Sequence, residues 1–521
     1  MNRFAFVTLA LFLSTVLHAQ DYHFVIRHAR LVDGTGAPAV AGDVAIRDRR
    51  IAAVGHFPGQ GRTEIDAAGQ VVAPGFIDVH THSEDVTDIP AGENFLRMGV
   101  TTIITGNCGG SKLNVAEFFD DIAKTKVGLN VATLIGHNTV RGQVMGGSFA
   151  RPPTADELAK MCGLVEQAMK DGAVGLSTGL IYLPGTFSKT DEIVALAKVA
   201  AAHGGIYASH MRSESTGIVK ALDELTTIAR EAKIPAEVSH LKLSGPVTWG
   251  RADEIVAYLD KARAGGLALT HDQYAYTASS TGIGTLIAAE FREGGTKRYR
   301  ERLADPATKA RMVAEMKDSI ARGKRGDYTY AVIANFKADQ RLNGKTIPQA
   351  AQLLRGAATL DDQIETVLDI EARGGAQGVF HGMSEPDLKI FLAHPLTMVA
   401  SDAGVRRFGE AVPHPRGYGN NARVLGRYVR EQKVISLEDA VRKMTSLPAQ
   451  SFHLKNRGEL KPGFVADVVI FDPEKVSDPS TFDDPHHYAV GFSDVLVNGV
   501  PVIRAGQLTQ ARPGRPVKLQ E

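Results

Sequence analysis

Several things are scarce in this 521-residue chain. It has two cysteines, Cys108 and Cys162, so at most one intramolecular disulfide can form. Charge of one sign is missing as well: 59 lysines and arginines face 58 aspartates and glutamates, a formal charge of +1 with no basic or acidic block. That balance argues against nucleic acid or an anionic membrane surface as a partner and fits a small neutral or weakly anionic substrate. The one long apolar run, Phe4 to Val16 behind Arg3, is shorter than the ~20 residues of a spanning helix. With the small residue Ala19 near its end it reads as a cleaved export signal over residues 1–20, which sends the mature chain to the periplasm or outside the cell. No cysteine follows the run, so a lipid anchor is not expected, and its shortness argues against a stable membrane anchor. In the mature chain, once Arg3 is removed, positive and negative charges balance. A hydrophobic fraction of 44% is that of an ordinary soluble enzyme able to bury a large core.

After residue 20 the alternating runs DYHFVIRHARLVDGTG and DVAIRDRRIAAVGHF read as short antiparallel strands. Near the other end, GFVADVVIFDP and SDVLVNGVPVIRAGQ, with its Asn-Gly hairpin signal, repeat that pattern. Residues 21–70 and 456–521 are therefore expected to form one small β domain built from both chain ends.

Between them, apolar strand-like runs alternate with amphipathic helical stretches such as TDEIVALAKVAAAHGG. Eight such runs lead into DVHTH near 80, TTIITGN near 104, LNVATLIGHN near 133, AVGLSTG near 176, IYASH near 208, AEVSH near 238, LALTHDQY near 270 and TMVASDAG near 400. No glycine-rich phosphate loop follows the first of them. The expectation is a closed α/β barrel of the (β/α)8 type over residues 71–455 rather than an open doubly wound sheet. The interval from about 276 to 394 is too long for one return helix, and FREGGTKRYRERLADPATKARMVAEMKDSIARGK is charged and helical. It reads as a helical insertion after the seventh strand, either a lid over the active-site face or a decorative subdomain.

The chemistry-bearing residues fall at strand ends. His80 and His82, two apart in GFIDVHTH, share a face and can hold one metal. Cys108, His210, His240 and Asp402 close other strand-like runs, and the strand ends of a barrel converge. Each has a plainer reading alone: core histidines for His210 and His240, a small apolar filler for Cys108, a helix cap for Asp402. Six coincidences at strand ends favour a metal site instead. Nitrogen, sulfur and carboxylate donors suit Zn²⁺. Cys162, inside the helical pattern ELAKMCGLVEQAMK, reads as a buried core residue.

The strings PGFIDVHTH, GVTTIITGNCG, GLSTGLIYLPG, YASHMRSE, SHLK, DQYAYTAS, HPLTMVASDAG and HPR closely resemble the N-acyl-D-amino-acid deacylases, or D-aminoacylases, of the metal-dependent amidohydrolase superfamily, over about residues 23–511. The resemblance implies a (β/α)8 barrel with a small β-sandwich, a tightly bound zinc on the residues matching Cys108, His210 and His240, and a second, weaker position at His80, His82 and Asp402. Many relatives bridge two metals with a carboxylated lysine; the fourth strand here has none, and Cys108 takes the bridging role. Asp402 matches the general base, taking a proton from the attacking water and returning it to the departing amine of an N-acyl amino acid substrate. Arg416 in VPHPRGYG matches the arginine that binds the substrate carboxylate, with Tyr182, Lys242 and Tyr274 matching neighbouring contacts. Two departures bear on side-chain specificity. Leu241 stands where relatives often carry a second histidine, and the stretch from Asp402 to Arg416 is long, with Arg406 and Arg407 added. Those two arginines read as solvated charges, the alternative being recognition of an acidic acyl group or side chain. Besides N-acyl-D-amino-acid hydrolysis, the same barrel allows a cyclic-amide (dihydropyrimidine or hydantoin) or dipeptide hydrolase, and a non-catalytic binding protein would have been expected to lose ligands that are all present.

Overall fold

A computed structural model describes residues 22–519, so the proposed export signal lies outside the described residues. A nine-stranded sheet is assembled from both chain ends: Tyr22–Leu31, Val40–Arg47, Arg50–Gly55, Gly61–Asp66 and Val71–Pro74 join Val468–Phe471, Phe492–Val497, Val500–Arg504 and Gln507–Leu508. The seam is the antiparallel pairing of Val71–Pro74 with Val468–Phe471, in which Val72 faces Ile470. Successive strand side chains point to opposite faces. Val72, Val468, Ile470 and Leu496 accordingly enclose one core with Ile26, Leu31, Val44 and Ile51. Val71, Ala73, Val469, Phe471, Val495 and Val497 instead join the core shared with the barrel. The Asn498-Gly499 hairpin forms as expected, with φ of 49° and 74° at its two central residues.

Two boundaries differ from the sequence reading. Val71–Pro74 belongs to the sheet, and the barrel opens at Phe76. At the far end the chain leaves the sheet after Leu508 and braces the third barrel strand, where Val517 N donates to Val131 O at 2.8 Å.

All eight barrel strands occur where the apolar runs place them: Phe76–Asp78, Val100–Thr105, Asn130–Thr133 continued by Ile135–Gly136, Gly175–Gly179, Ile206–His210, Ala236–Val238, Leu269–Gln273 and Thr397–Val399. Their pairings are parallel, and a Thr81–Ala403 bridge joins the eighth strand to the first, closing the ring. His82 N donates to Ala403 O and Asp402 N to His80 O across the same seam, both at 2.9 Å. The first and last strands thus hold His80, His82 and Asp402 in register.

The insertion is mixed rather than purely helical. Ala278–Gly282, Gln377–His381 and Ala331–Asn335 form a three-stranded antiparallel sheet. Helices Gly295–Ala304, Pro306–Arg322, Ile347–Arg355 and Leu360–Ala372 close a separate core around Phe291, Met312, Tyr328, Phe336 and Ile364. It also ends earlier than expected. Helix Glu385–Ala393 is the barrel's own return helix, and its Asp387 accepts from Gly250 N and Ala252 N at the start of the neighbouring barrel helix Ala252–Ala264. Among the described residues no helix is long and apolar enough to cross a membrane.

Candidate metal centre and active-site cavity

The carboxyl ends of the barrel strands bring the six expected ligands together. Three groups of donor atoms each converge within 4.8 Å: His80, His82 and Cys108; Cys108, His210 and His240; and His80, His240 and Asp402. Cys108 belongs to two of them. Its Sγ lies 3.3 Å from His80 Nε2, 3.6 Å from His240 Nε2 and 3.7 Å from His210 Nδ1. The side chains are buried except that of His82, which is 40% exposed and reaches Asp402 Oδ1 at 3.0 Å.

Local backbone makes this convergence possible. Cys108, His240 and Asp402 occupy the left-handed region with φ of 52°, 37° and 52°. Non-glycine residues there cost of order 1–3 kcal/mol each and persist only where packing holds them, commonly at functional sites. Gly179 supplies part of that packing, because a Cβ at this position would lie 2.0 Å from the Cys108 carbonyl oxygen. The fourth strand therefore contributes room for the cysteine loop where a lysine-bearing strand would fill it. Both cysteines are free; Cys162, in helix Ala155–Asp171, is half-buried at the edge of the core rather than inside it.

The donors are supported from behind. His80 Nδ1 lies 3.0 Å from Asp272 Oδ2, and His240 Nδ1 lies 3.0 Å from Glu214 Oε1. Carboxylates behind metal-ligating imidazoles fix the ring and its tautomer. Burial alone would raise the Cys108 thiol, but the adjoining imidazoles, His80 foremost, hold it well below an ordinary thiol, so it is a thiolate. Burial would likewise raise Asp402, yet Arg416 and then His80 hold it well below the usual carboxylate range. For His82 burial works downward, and the hydrogen bond to Asp402 together with the Cys108 thiolate more than offsets it, lifting the imidazolium to about 10. A thiolate, three buried imidazoles, a fourth at the cavity floor and an ionised carboxylate form a donor set matched to zinc, and a cation there displaces protons from His80 and His82.

Above the cluster opens a cavity of about 660 Å³, bounded by His82, Cys108, Asp402 and Arg416 and roofed from the insertion by Thr281 and Asn335. Of the four expected substrate contacts, Tyr182 and Arg416 line it. Tyr182 accepts a hydrogen bond from Thr281 Oγ1 at 3.1 Å, which ties the barrel to the insertion. Arg416 Nη1 sits 2.9 Å from Asp402 Oδ2, an ion pair without the alignment of a hydrogen bond, and the guanidinium stacks 4.6 Å over the Tyr274 ring. Lys242 and Tyr274 do not line the cavity. Lys242 Nζ is 2.5 Å from Glu214 and donates to the His240 carbonyl at 3.0 Å, so it braces the carboxylate behind a ligand. The Tyr274 hydroxyl points to Met383 Sδ at 3.5 Å. Arg406 also departs from expectation in being half-buried; Arg407 is exposed as expected, and both line the cavity.

The chain matches the model described as "Amidohydrolase family" over residues 63–503. The chain belongs to the amidohydrolase family. Within this family it is similar to three proteins of Alcaligenes xylosoxydans xylosoxydans. It is 34% identical to a D-aminoacylase over 95% of this chain and 98% of the relative. It is 33% identical to an N-acyl-D-glutamate deacylase over 94% and 95% of the two chains, and 34% identical to an N-acyl-D-aspartate deacylase over 94% of each. Among solved structures, the N-acyl-D-glutamate deacylase of Bordetella bronchiseptica, complexed with zinc and a phosphonate mimic of the tetrahedral intermediate, superposes with a TM-score of 0.82 at 32% identity, covering 96% of this chain and all of that one. A D-aminoacylase described as having a binuclear metal centre with one-metal activation and second-metal attenuation superposes equally well, at 0.82 and 32%, over 95% of this chain and all of that one. The amidohydrolase barrel thus gathers the candidate donors at the expected strand ends, with Glu214, Asp272 and Thr281 as neighbours not expected from the sequence. Glu214 and Asp272 stood in view within YASHMRSE and LALTHDQY; a carboxylate near the carboxyl end of a barrel strand was the available signal.

Proposed function

We propose that this protein hydrolyses the amide bond of N-acyl-D-amino acids to a D-amino acid and a carboxylate, using zinc held tightly by Cys108, His210 and His240, with His80, His82 and Asp402 forming a second, weaker position. The observation that carries the reading is the convergence of all three donor groups, with the ionised Asp402, on the floor of one cavity. Its relatives' activities on N-acyl-D-amino acids support the substrate class.

When bound, zinc supplies Lewis acidity and brings the pKa of a water ligand towards about 7. The chain's own residues do the rest. Asp402, kept ionised by Arg416 and oriented by His82, accepts the proton of the attacking water and returns it to the departing amine nitrogen. Burial raises the Tyr182 phenol well above its ordinary range, so it stays neutral and keeps its proton for an oxygen of the substrate. Arg416 presents a guanidinium to the substrate carboxylate from the cavity wall. The insertion's Thr281 and Asn335 cover the reacting bond.

The test is release of free amine from paired N-acetyl-D- and N-acetyl-L-amino acids, before and after chelation. Turnover of the D-isomers alone, abolished by the chelator, is expected; equal turnover of both isomers contradicts the stereochemical part. We also propose export by residues 1–20, supported by their apolar run; amino-terminal sequencing of the mature protein, expected to begin close after Ala19, checks it.

A further inference from the structure

Of the three curated relatives one is named for D-glutamate, one for D-aspartate and one for no particular amino acid, yet they are 33%, 34% and 34% identical to this chain. Overall similarity therefore does not say which side chain this site accepts. Arg406 does.

Its position is built. Arg406 N donates to Asn94 Oδ1 at 3.2 Å, and Asn94 Nδ2 donates to the carbonyls of Gly404 and Gly417 at 3.2 and 2.9 Å. Asn94 is fully buried, so the loop after Asp402 is riveted to the first turn of helix Arg416–Arg423. The Arg406 stem then folds over Gly417, where a Cβ would fall 2.8 Å from its Nε and 3.2 Å from its Cδ. Only a glycine lets the side chain lie there.

Its charge is unanswered. Nε is buried with no hydrogen-bond partner, and among the described residues no acceptor or acid pairs with the guanidinium. Asp85 shares the cavity wall, outside ion-pairing range, and Arg416 beside it adds like charge. Arginine stays charged at any working pH, and a cation withdrawn from water without a partner is costly. Arg407 shows the contrast: it is exposed, donates to Asp88 O at 3.0 Å and faces Glu410 at 3.9 Å. Both arginines line the cavity, but Arg407 is solvated and answered by these partners, whereas the Arg406 guanidinium has none among the described residues.

We propose that Arg406 is a specificity-determining residue that receives a second carboxylate of the substrate, so that the preferred substrates are dianions. This rests on the proposed amide hydrolysis, in which Arg416 takes the first carboxylate. The second is carried either by the D-amino-acid side chain or by the far end of the acyl group. Both present the same oxygen pair to a planar guanidinium.

The experiment compares kcat and KM for two pairs that differ only in that charge: N-acetyl-D-glutamate against N-acetyl-D-glutamine, and N-succinyl-D-alanine against its terminal amide. The wild type is expected to prefer the dianion of one pair by about 10- to 100-fold in kcat/KM, the range of a hydrogen-bonded charge, and the pair that shows it locates the carboxylate. Arg406→Ala removes the preference through KM while the neutral partner changes less than about twofold. Arg406→Lys keeps part of it, Gly417→Ala erodes it by displacing an intact arginine, and Arg407→Ala leaves it unchanged. Equal kcat/KM within both pairs in the wild type, or a loss in Arg406→Ala that falls equally on dianion and amide, overturns the proposal. Should none of the four be hydrolysed, calorimetric binding of the same pairs to the wild type and Arg406→Ala reads the preference directly. The hydrolytic reading then falls alone, and absence of a charge preference in binding overturns the role of Arg406.

Discussion

Asp402 is held by three neighbours at once: His82 on one carboxylate oxygen, Arg416 on the other, and the Asp402 N to His80 O hydrogen bond that fixes its strained backbone. A residue so constrained is placed to shuttle a proton without reorganising. Asp402→Asn is expected to lower kcat by about 10²- to 10⁴-fold while zinc content on the Cys108, His210 and His240 donors stays close to that of the wild type. Metal analysis and steady-state kinetics on one preparation check this, and undiminished turnover would remove Asp402 from the proton-transfer role. At this scale the convergence of the candidate ligands was legible in the sequence, because His80, His82, Cys108, His210, His240 and Asp402 each end an apolar strand-like run, and a barrel gathers strand ends. Lys242 and Arg406 were not. Lys242 is turned under His240 by Glu214, and Arg406 is drawn half-buried by its packing on Gly417 and by the Asn94 rivet. Both depend on contacts between segments far apart in the chain.

At the scale of elements, the loop from Asp402 to Arg416 is only as firm as its anchor. Asn94, a buried residue of the short helix Glu93–Leu96, makes two hydrogen bonds to it and a third to Gly417 just beyond. Asn94→Ala leaves those groups unsatisfied and is expected to cost roughly 2–5 kcal/mol, read as a lowered midpoint in denaturant or thermal unfolding. A variant as stable as the wild type would show that water replaces the side chain and that the loop has other anchors. The eight barrel strands were readable from apolar runs punctuated by helices. The insertion was only half readable: its charged helices announce themselves, but AVIAN and QGVFH are five-residue strands whose partners lie tens of residues away, and nothing local marks their pairing.

Over the whole molecule, the barrel is locked to the sheet built from both ends. Asp467, beside the seam strand Val468–Phe471, accepts from Asn498 N at 2.7 Å and from Asn130 Nδ2 in the third barrel strand at 3.1 Å, and pairs with Arg457. The union of chain ends was legible from the repeated strand pattern and the Asn-Gly turn. The return of residues 513–519 to the barrel was not, because that segment makes isolated backbone bonds without a strand pattern of its own.

Buried ionisable groups also set how the fold responds to acid. Burial, then the charges of His394 and Lys443, push His271 down to about 3, against about 6.5 in an unfolded chain. Between those values the unfolded chain binds a proton that the folded one refuses, so stability is lost as pH falls from about 6.5 towards 3, by up to about tenfold in the folding equilibrium per pH unit. Asp78 works oppositely. Burial pushes its carboxyl up to about 7, so its contribution declines as pH rises from about 4 to 7. The difference between wild type and His271→Asn isolates the histidine: denaturation midpoints below pH 6 should fall less steeply in the variant, and parallel slopes would show that His271 is charged in the folded protein.

The most direct test of the proposed function is a zinc titration of the chelated protein, with amine release from an N-acetyl-D-amino acid and its L-isomer followed against equivalents bound. Activity towards the D-isomer is predicted to rise from background and to saturate with the first equivalent, the L-isomer remaining inert throughout. Turnover that persists in the fully chelated protein, or that stays absent after zinc is restored, would contradict it.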